Sequence, residues 1–149
     1  MSADVHRPQT GALRWRGVDV LEYKRAGTAP FRDVTRQVVF DDPALHCQLR
    51  YFEIGPGGHT TLERHVHAHA MVIERGRGRA MVGDRVFDVA PHDLVHVPAS
   101  TWHQFRAASD QPLGFLCMVN AERDRPELPS PADLARLRED PTLAQFIAT

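Results

Sequence analysis

Residues 57–76 read GGHTTLERHVHAHAMVIERG. Within this stretch Glu63, His65, His67 and His69 alternate with Arg64, Val66, Ala68 and Ala70. In an extended chain alternate residues share a face. One face therefore carries a carboxylate and three imidazoles. Such a face gains little from hydrophobic burial and suits a metal ion, since neutral imidazole and carboxylate ligate Mn, Fe, Co, Ni or Zn. Ligands this close in sequence leave at least one to come from elsewhere. The segment His92–Phe105, HDLVHVPASTWHQF, offers His103 after a proline-containing turn.

The flanking chain reads mostly as strands. Trp15–Tyr23 has apolar points at Trp15, Val18, Val20 and Leu21. Asp33–Phe40 alternates and is rich in β-branched residues. The cluster Asp41-Asp42-Pro43 marks a turn, His46–Ile54 is a further strand, and Gly55-Pro56-Gly57-Gly58 is expected to break it. Strands follow at His69–Glu74 and Arg77–Val82. Val82-Gly83-Asp84-Arg85 offers a hairpin in which glycine supplies a positive φ. Shorter strands are expected at Val86–Val89, Leu94–Val97, Trp102–Arg106 and Leu113–Val119. Many short strands with Gly, Pro and Asp turns and no interleaved helices point to an all-β barrel or jelly roll.

The two ends differ from this core. Residues 1–13 carry no periodic pattern and are expected to form a loose arm. The barrel is assigned to residues 14–127 and a helical tail to residues 128–149. In the tail, Ser130 can cap free N–H groups, Pro131 tolerates the first helical position, and Asp133 suits the first turn. Asp140-Pro141 repeats the signal, so a second short helix is expected over Thr142–Ala148. Leu134, Leu137 and Leu143 form an apolar stripe that serves to cover the barrel.

Composition bounds the function. The chain has 149 residues, 42% hydrophobic and 25% charged, with a net charge of −1. That length fits one domain with a real core. No basic excess argues for nucleic acid, and no basic amphipathic helix argues for a membrane surface. The first residues lack the apolar core of a secretory signal, and no run approaches a membrane span. The cytoplasm is the expected compartment, where Cys47 and Cys117 are free thiols.

The spacing in residues 57–76 resembles the first motif of the cupin family, G-x5-H-x-H-x3-E-x6-G. Gly57, Glu63, His65, His69 and Gly76 occupy its five marked positions. Glu63 stands where the first histidine is usual and His69 where the glutamate is usual, so metal-binding types are exchanged. The second motif, G-x5-P-x-G-x2-H-x3-N, is matched by Pro98 and His103, with His92, Ser100 and Ala107 at its other marked positions. The resemblance implies a single jelly-roll barrel holding one divalent metal through Glu63, His65, His69 and His103, manganese being the first choice. His67 falls outside the matched spacing, and a turn between His65 and His69 would move it off the shared face. His46, His59 and His92 read as surface or hydrogen-bonded residues. The residues leave open whether His96 faces the cavity.

A narrower resemblance concerns RWRGVDVLEYK, FRDVTRQVVF, LRYFEI, ERHVHAHA and FLCMVNAERDRP. Together these look like a bacterial cupin group that includes 1-methylthio-xylulose 5-phosphate methylsulfurylases of methionine salvage. That likeness implies a sulfur-group transferase acting on a sugar phosphate, a thiol reductant such as glutathione as co-substrate, and a homodimer. It also implies Cys117 as the thiolate that accepts the methylthio group. From the residues alone, Cys117 reads equally as a small buried hydrophobe, and Cys47 reads as core. Lys24, Arg32, Arg36, Arg50 and Arg106 are candidates for the phosphate. Three other readings share the same ligands: a dioxygenase, a sugar isomerase or epimerase, and a non-catalytic binding protein for a small ligand.

Overall fold

The computed structural model describes residues 5–149. A small hairpin comes first: β1 (Gln9–Gly11) pairs antiparallel with β2 (Arg14–Trp15). It lies partly in the segment expected as an arm, and Trp15 packs edge-on against Tyr51 at 5.4 Å. The expected strand Trp15–Tyr23 is not continuous. Gly17 turns the chain at φ +73, and only Leu21–Glu22 (β3) pair again, on β4 (Arg32–Asp42).

The long hairpin β4–β5 forms the spine. Asp42 caps a single 3-10 turn, Pro43–Leu45, and His46 reverses the chain at φ +53 into β5 (Cys47–His59). The glycine cluster does not end this strand. The pairing instead jumps from Val34 opposite Ile54 to Arg32 opposite His59, so residues 55–58 form a bulged excursion. A bulge bends a strand and increases its twist. Close packing explains Gly55, where a Cβ would fall 1.8 Å from the Asp33 carboxylate.

The remaining strands are β6 (His69–Gly76), β7 (Gly78–Val82), β8 (Arg85–Val89), β9 (Leu94–Val97), β10 (His103–Ala107) and β11 (Leu113–Asn120). They run in the order β8-β7-β10-β5-β11-β6-β9, with β4 on the other edge of β5. Up to Ile54, β5 pairs with β11; at His59 it pairs with β10. Two half-sheets thus diverge from one bent strand, and the sheet curls into a jelly-roll barrel. The β7–β8 hairpin closes through Gly83-Asp84 with Gly83 at φ +64, the positive φ that a two-residue loop needs.

Inward-facing residues of both halves form one core around Phe52, Ile54, Ile73, Val97, Phe105 and Phe115. A second cluster lies outside the barrel. There Leu62 and Met81 meet Leu143, Phe146 and Ile147, with Leu134 and Leu137 packed against them. Helix α1 (Pro131–Leu137) carries a capping box between Ser130 and Asp133, and α2 (Pro141–Phe146) is capped by Asp140. Burying side chains such as Leu143 and Phe146 stabilises by roughly 1.5–3 kcal/mol each. The tail therefore covers the barrel, as the apolar stripe predicts. No described helix is long and apolar enough to cross a membrane.

Candidate metal centre and thiol

Residues 63–69 are not one extended strand. Glu63 bridges His103 through paired backbone bonds of 3.2 and 3.0 Å, and the chain then bends at Val66-His67 before β6 begins. Asp124 holds the bend: its carboxylate accepts from Val66 N at 2.8 Å, His67 N at 3.1 Å and His67 Nδ1 at 2.6 Å. Those bonds keep the Asp124 carboxyl well below the usual carboxylate range, Val66 N–H contributing most. The simple alternation therefore fails, yet His65 and His69 still converge, because the bend redirects the chain between them.

His65, His69 and His103 form a nearly regular triangle. Ring centroids are 4.9 Å apart for His65–His69, 4.9 Å for His65–His103 and 5.0 Å for His69–His103. One ligand atom from each lies within 4.8 Å of the others, and all three residues are buried. The Nδ1 of His65 is 2.7 Å from the His67 carbonyl, and that of His103 is 2.8 Å from the Thr101 carbonyl. A carbonyl oxygen can only accept, so each Nδ1 carries the proton and each Nε2 keeps its lone pair. The Nε2 of His69 is buried with no hydrogen-bond partner. An orphaned buried ring nitrogen is costly and fits a ligand to an ion in the triangle.

Burial keeps these rings neutral. It pushes His65 down, His103 down to about 4, and His69 lower still, with the neighbouring imidazoles adding to the effect on His69. Neutral imidazole is the form that binds metal. Glu63 lines the same cavity but stands outside the triangle, ion-paired with Lys24. His67 also lines the cavity, its ring stacked on His65 at 3.7 Å. His96 is exposed on the far side of β9, which settles its direction. His46 and His92 are exposed as well, and His59 is half-buried beside the Thr60 carbonyl.

Cys117 sits on β11 opposite Met71 of β6 and Arg50 of β5. Its Sγ lies 3.2 Å from His69 Nδ1. Burial raises the thiol above its ordinary range, while the charge of Arg50 works against that shift. Cys47 is half-buried at the start of β5 and does not line the cavity. The cavity itself encloses about 320 Å³. Aromatic residues Phe52, Phe105 and Phe115 form part of its wall. Of the cationic candidates, Lys24, Arg36 and Arg50 line it and Arg32 and Arg106 do not. Tyr23, Arg123 and Asp124 also line it; they lie in stretches that carry the narrower resemblance, but the sequence assigned them no role.

Comparison with known proteins gives this geometry a lineage. The cupin domain family matches residues 50–119. A curated 1-methylthio-D-xylulose 5-phosphate methylsulfurylase of Rhodospirillum rubrum is 62% identical over 141 residues, covering 95% of this chain and 90% of the relative. The chain belongs to the cupin family. Among solved structures, this cupin superposes on a cupin 2 conserved barrel domain protein from Rhodopseudomonas palustris with a TM-score of 0.92 and 56% identity, covering 97% of this chain and 99% of that one. A cupin-2 domain from Rhodospirillum rubrum superposes with a TM-score of 0.86 and 61% identity, covering 95% of each chain. The bent β5, the histidine triangle and the thiol thus occur in a cupin frame, which by itself does not dictate a reaction.

Proposed function

We propose that this cupin is a metal-dependent methylsulfurylase acting on 1-methylthio-D-xylulose 5-phosphate, with 1-deoxyxylulose 5-phosphate as product. The feature that carries the reading is Cys117 Sγ placed 3.2 Å from His69 Nδ1 inside the cavity. The 62% identity to a protein bearing that name supports the substrate.

His65, His69 and His103 hold one divalent metal, with Glu63 as a fourth ligand once Lys24 yields it. Manganese is the first choice. When bound, the metal supplies a Lewis acid for the ketose oxygens. Cys117 supplies the acceptor. Its thiolate attacks the methylthio sulfur, a sulfur–sulfur bond forms, and the C1–S bond breaks with its electron pair left on C1. C1 then takes a proton. The Tyr23 phenol faces the same cavity; burial and the nearby Glu63 charge push it up and keep it protonated, so it can donate. An external thiol such as glutathione then attacks the mixed disulfide, leaves with the methylthio group, and returns Cys117 as thiolate.

The test is direct. Metal-loaded protein is given the methylthio ketose phosphate with and without added thiol. Continuous formation of 1-deoxyxylulose 5-phosphate with thiol, and a single turnover without it, is expected. Oxygen consumption, or solvent hydrogen exchange without loss of sulfur, would move the protein to the dioxygenase or isomerase class.

A further inference from the structure

One wall of the cavity carries more positive charge than the sulfur chemistry uses, Arg50 alone acting on the Cys117 thiol. Arg36 on β4, Arg50 on β5 and Arg123 after β11 all line it. Three separate segments therefore bring guanidinium groups to one place. Lys24 is already paired with Glu63. Among the described residues, none of the three arginines forms an ion pair with a carboxylate.

Their hydrogen bonds leave the charge uncompensated. Arg36 Nε donates to the Glu22 carbonyl at 3.1 Å. Arg123 Nη1 donates to Gln48 Oε1 at 3.0 Å and to the Asn120 carbonyl at 2.9 Å. Arg50 Nε is buried without any partner, and the guanidinium lies over the Phe52 ring at 4.9 Å. Other arginines in this protein are neutralised: Arg64 by Glu127, Arg75 by Glu53 and Arg136 by Asp133. Gathering like charges without a counter-ion is unfavourable. Arg36 and Arg123 both feel it, held below the ordinary guanidinium range by burial first and by Arg50 next. At Arg123 this is offset in part by Cys117 and, to a smaller extent, by Asp41.

We propose that Arg36, Arg50 and Arg123 form an anion subsite for a phosphate monoester, the C5 phosphate of the pentulose named above. The assignment of the sugar rests on that functional reading; the anion subsite rests on the arginines. Planar guanidinium forks approaching from three segments suit a tetrahedral dianion. Burial falls along the set: Cys117 is buried, Arg50 and Arg36 are half-buried, and Arg123 is exposed. A substrate would thus lie with its phosphate toward the rim and its reacting carbons toward the histidines. Arg50, as the register partner of Cys117, links the two ends.

Calorimetric titration of the metal-loaded full chain tests this with four probes: 1-deoxyxylulose 5-phosphate, 1-deoxyxylulose, inorganic phosphate and glutathione. Wild type should prefer the phosphorylated sugar by at least about tenfold. The Arg36→Gln/Arg123→Gln double variant should narrow that preference to about threefold or less while binding the unphosphorylated sugar as before. Arg32→Gln, outside the cavity, should retain the wild-type preference. A preference that survives in the double variant overturns the subsite. Loss of glutathione affinity with the phosphate preference intact also overturns it, and assigns the arginines to the thiol's carboxylates. If neither sugar binds wild type, the pentulose reading fails. Inorganic phosphate then decides: binding that the double variant weakens supports the anion subsite, and binding it leaves unchanged rejects it.

Discussion

The Sγ of Cys117 and the Nδ1 of His69 stand 3.2 Å apart, while the Nε2 of the same ring, one corner of the histidine triangle, is buried without a partner. One imidazole thus joins the thiol to the centre of the triangle. With its Nε2 lone pair engaged by a cation, His69 must carry its proton on Nδ1 and donate it toward sulfur. Burial alone raises the thiol. Metal loading should therefore lower the apparent pKa of Cys117, read as thiolate ultraviolet absorbance against pH. An identical titration with and without metal would disconnect the two groups.

Cys117→Ser should abolish transfer of the methylthio group yet leave metal content unchanged. Serine oxygen is a poor acceptor of sulfur, and the exchange removes little volume. Wild type incubated with the methylthio ketose phosphate and no thiol should gain the mass of one methylthio group on Cys117. Continued turnover by the serine variant would show that another group accepts the sulfur.

The four proposed ligands should not weigh equally. His65→Ala opens the triangle and should remove stoichiometric metal, measured on protein purified without chelator. Glu63→Gln should weaken affinity by about tenfold and still allow saturation, since Glu63 stands outside the triangle and shares its charge with Lys24. Asp124→Ala should also cost roughly tenfold, because it releases the bend that sets the His67 carbonyl against His65. Equal metal loss in all three variants would contradict this ranking.

Stability of the metal-free protein should fall with acid. His65, His69 and His103 are depressed in the folded state, His103 to about 4. The unfolded chain binds protons on them from about pH 6.5 downward, before the folded chain does. The stabilisation is therefore present above about pH 6.5 and is lost progressively through about pH 4 for His103 and further below it for His69. Denaturant midpoints of chelated protein at these two limits should differ in that direction. A single variant with all three histidines replaced by glutamine should flatten this pH dependence.

Gly76→Ala should destabilise the barrel by about 2 kcal/mol or more. Gly76 sits at φ +78 at the end of β6, and a Cβ there would fall 1.6 Å from the Pro112 carbonyl oxygen. Chemical denaturation would show this, while metal stoichiometry of the folded fraction should remain near wild type.

Local chemistry in the sequence determined much of this protein. Alternating β-branched stretches were enough to mark strands, since pleat and side-chain period are properties of a few neighbouring residues. Ser130-Pro131 and Asp140-Pro141 marked both helix starts, because capping is satisfied within one turn. The spacing of Glu63, His65, His69 and His103 singled out four residues that line one cavity.

What only the tertiary structure decided depends on partners distant in the chain. Periodicity suggested a continuous face from Glu63 to His69, but Asp124, more than fifty residues on and just past β11, bends it. The glycines at 55–58 read as a stop, yet β4 and β11 hold β5 together up to them and β4 and β10 take it up beyond, so they became a bulge. Arg36 and Arg50 looked no different from Arg32 and Arg106; only the folding of the sheet turned the first pair inward and added Arg123, to which the sequence assigned no role. Cys117 is buried in the core, and only the pairing of β11 with β6 set its sulfur against His69. Sequence spacing specifies which side chains share a strand face, but pairing between strands specifies which faces meet.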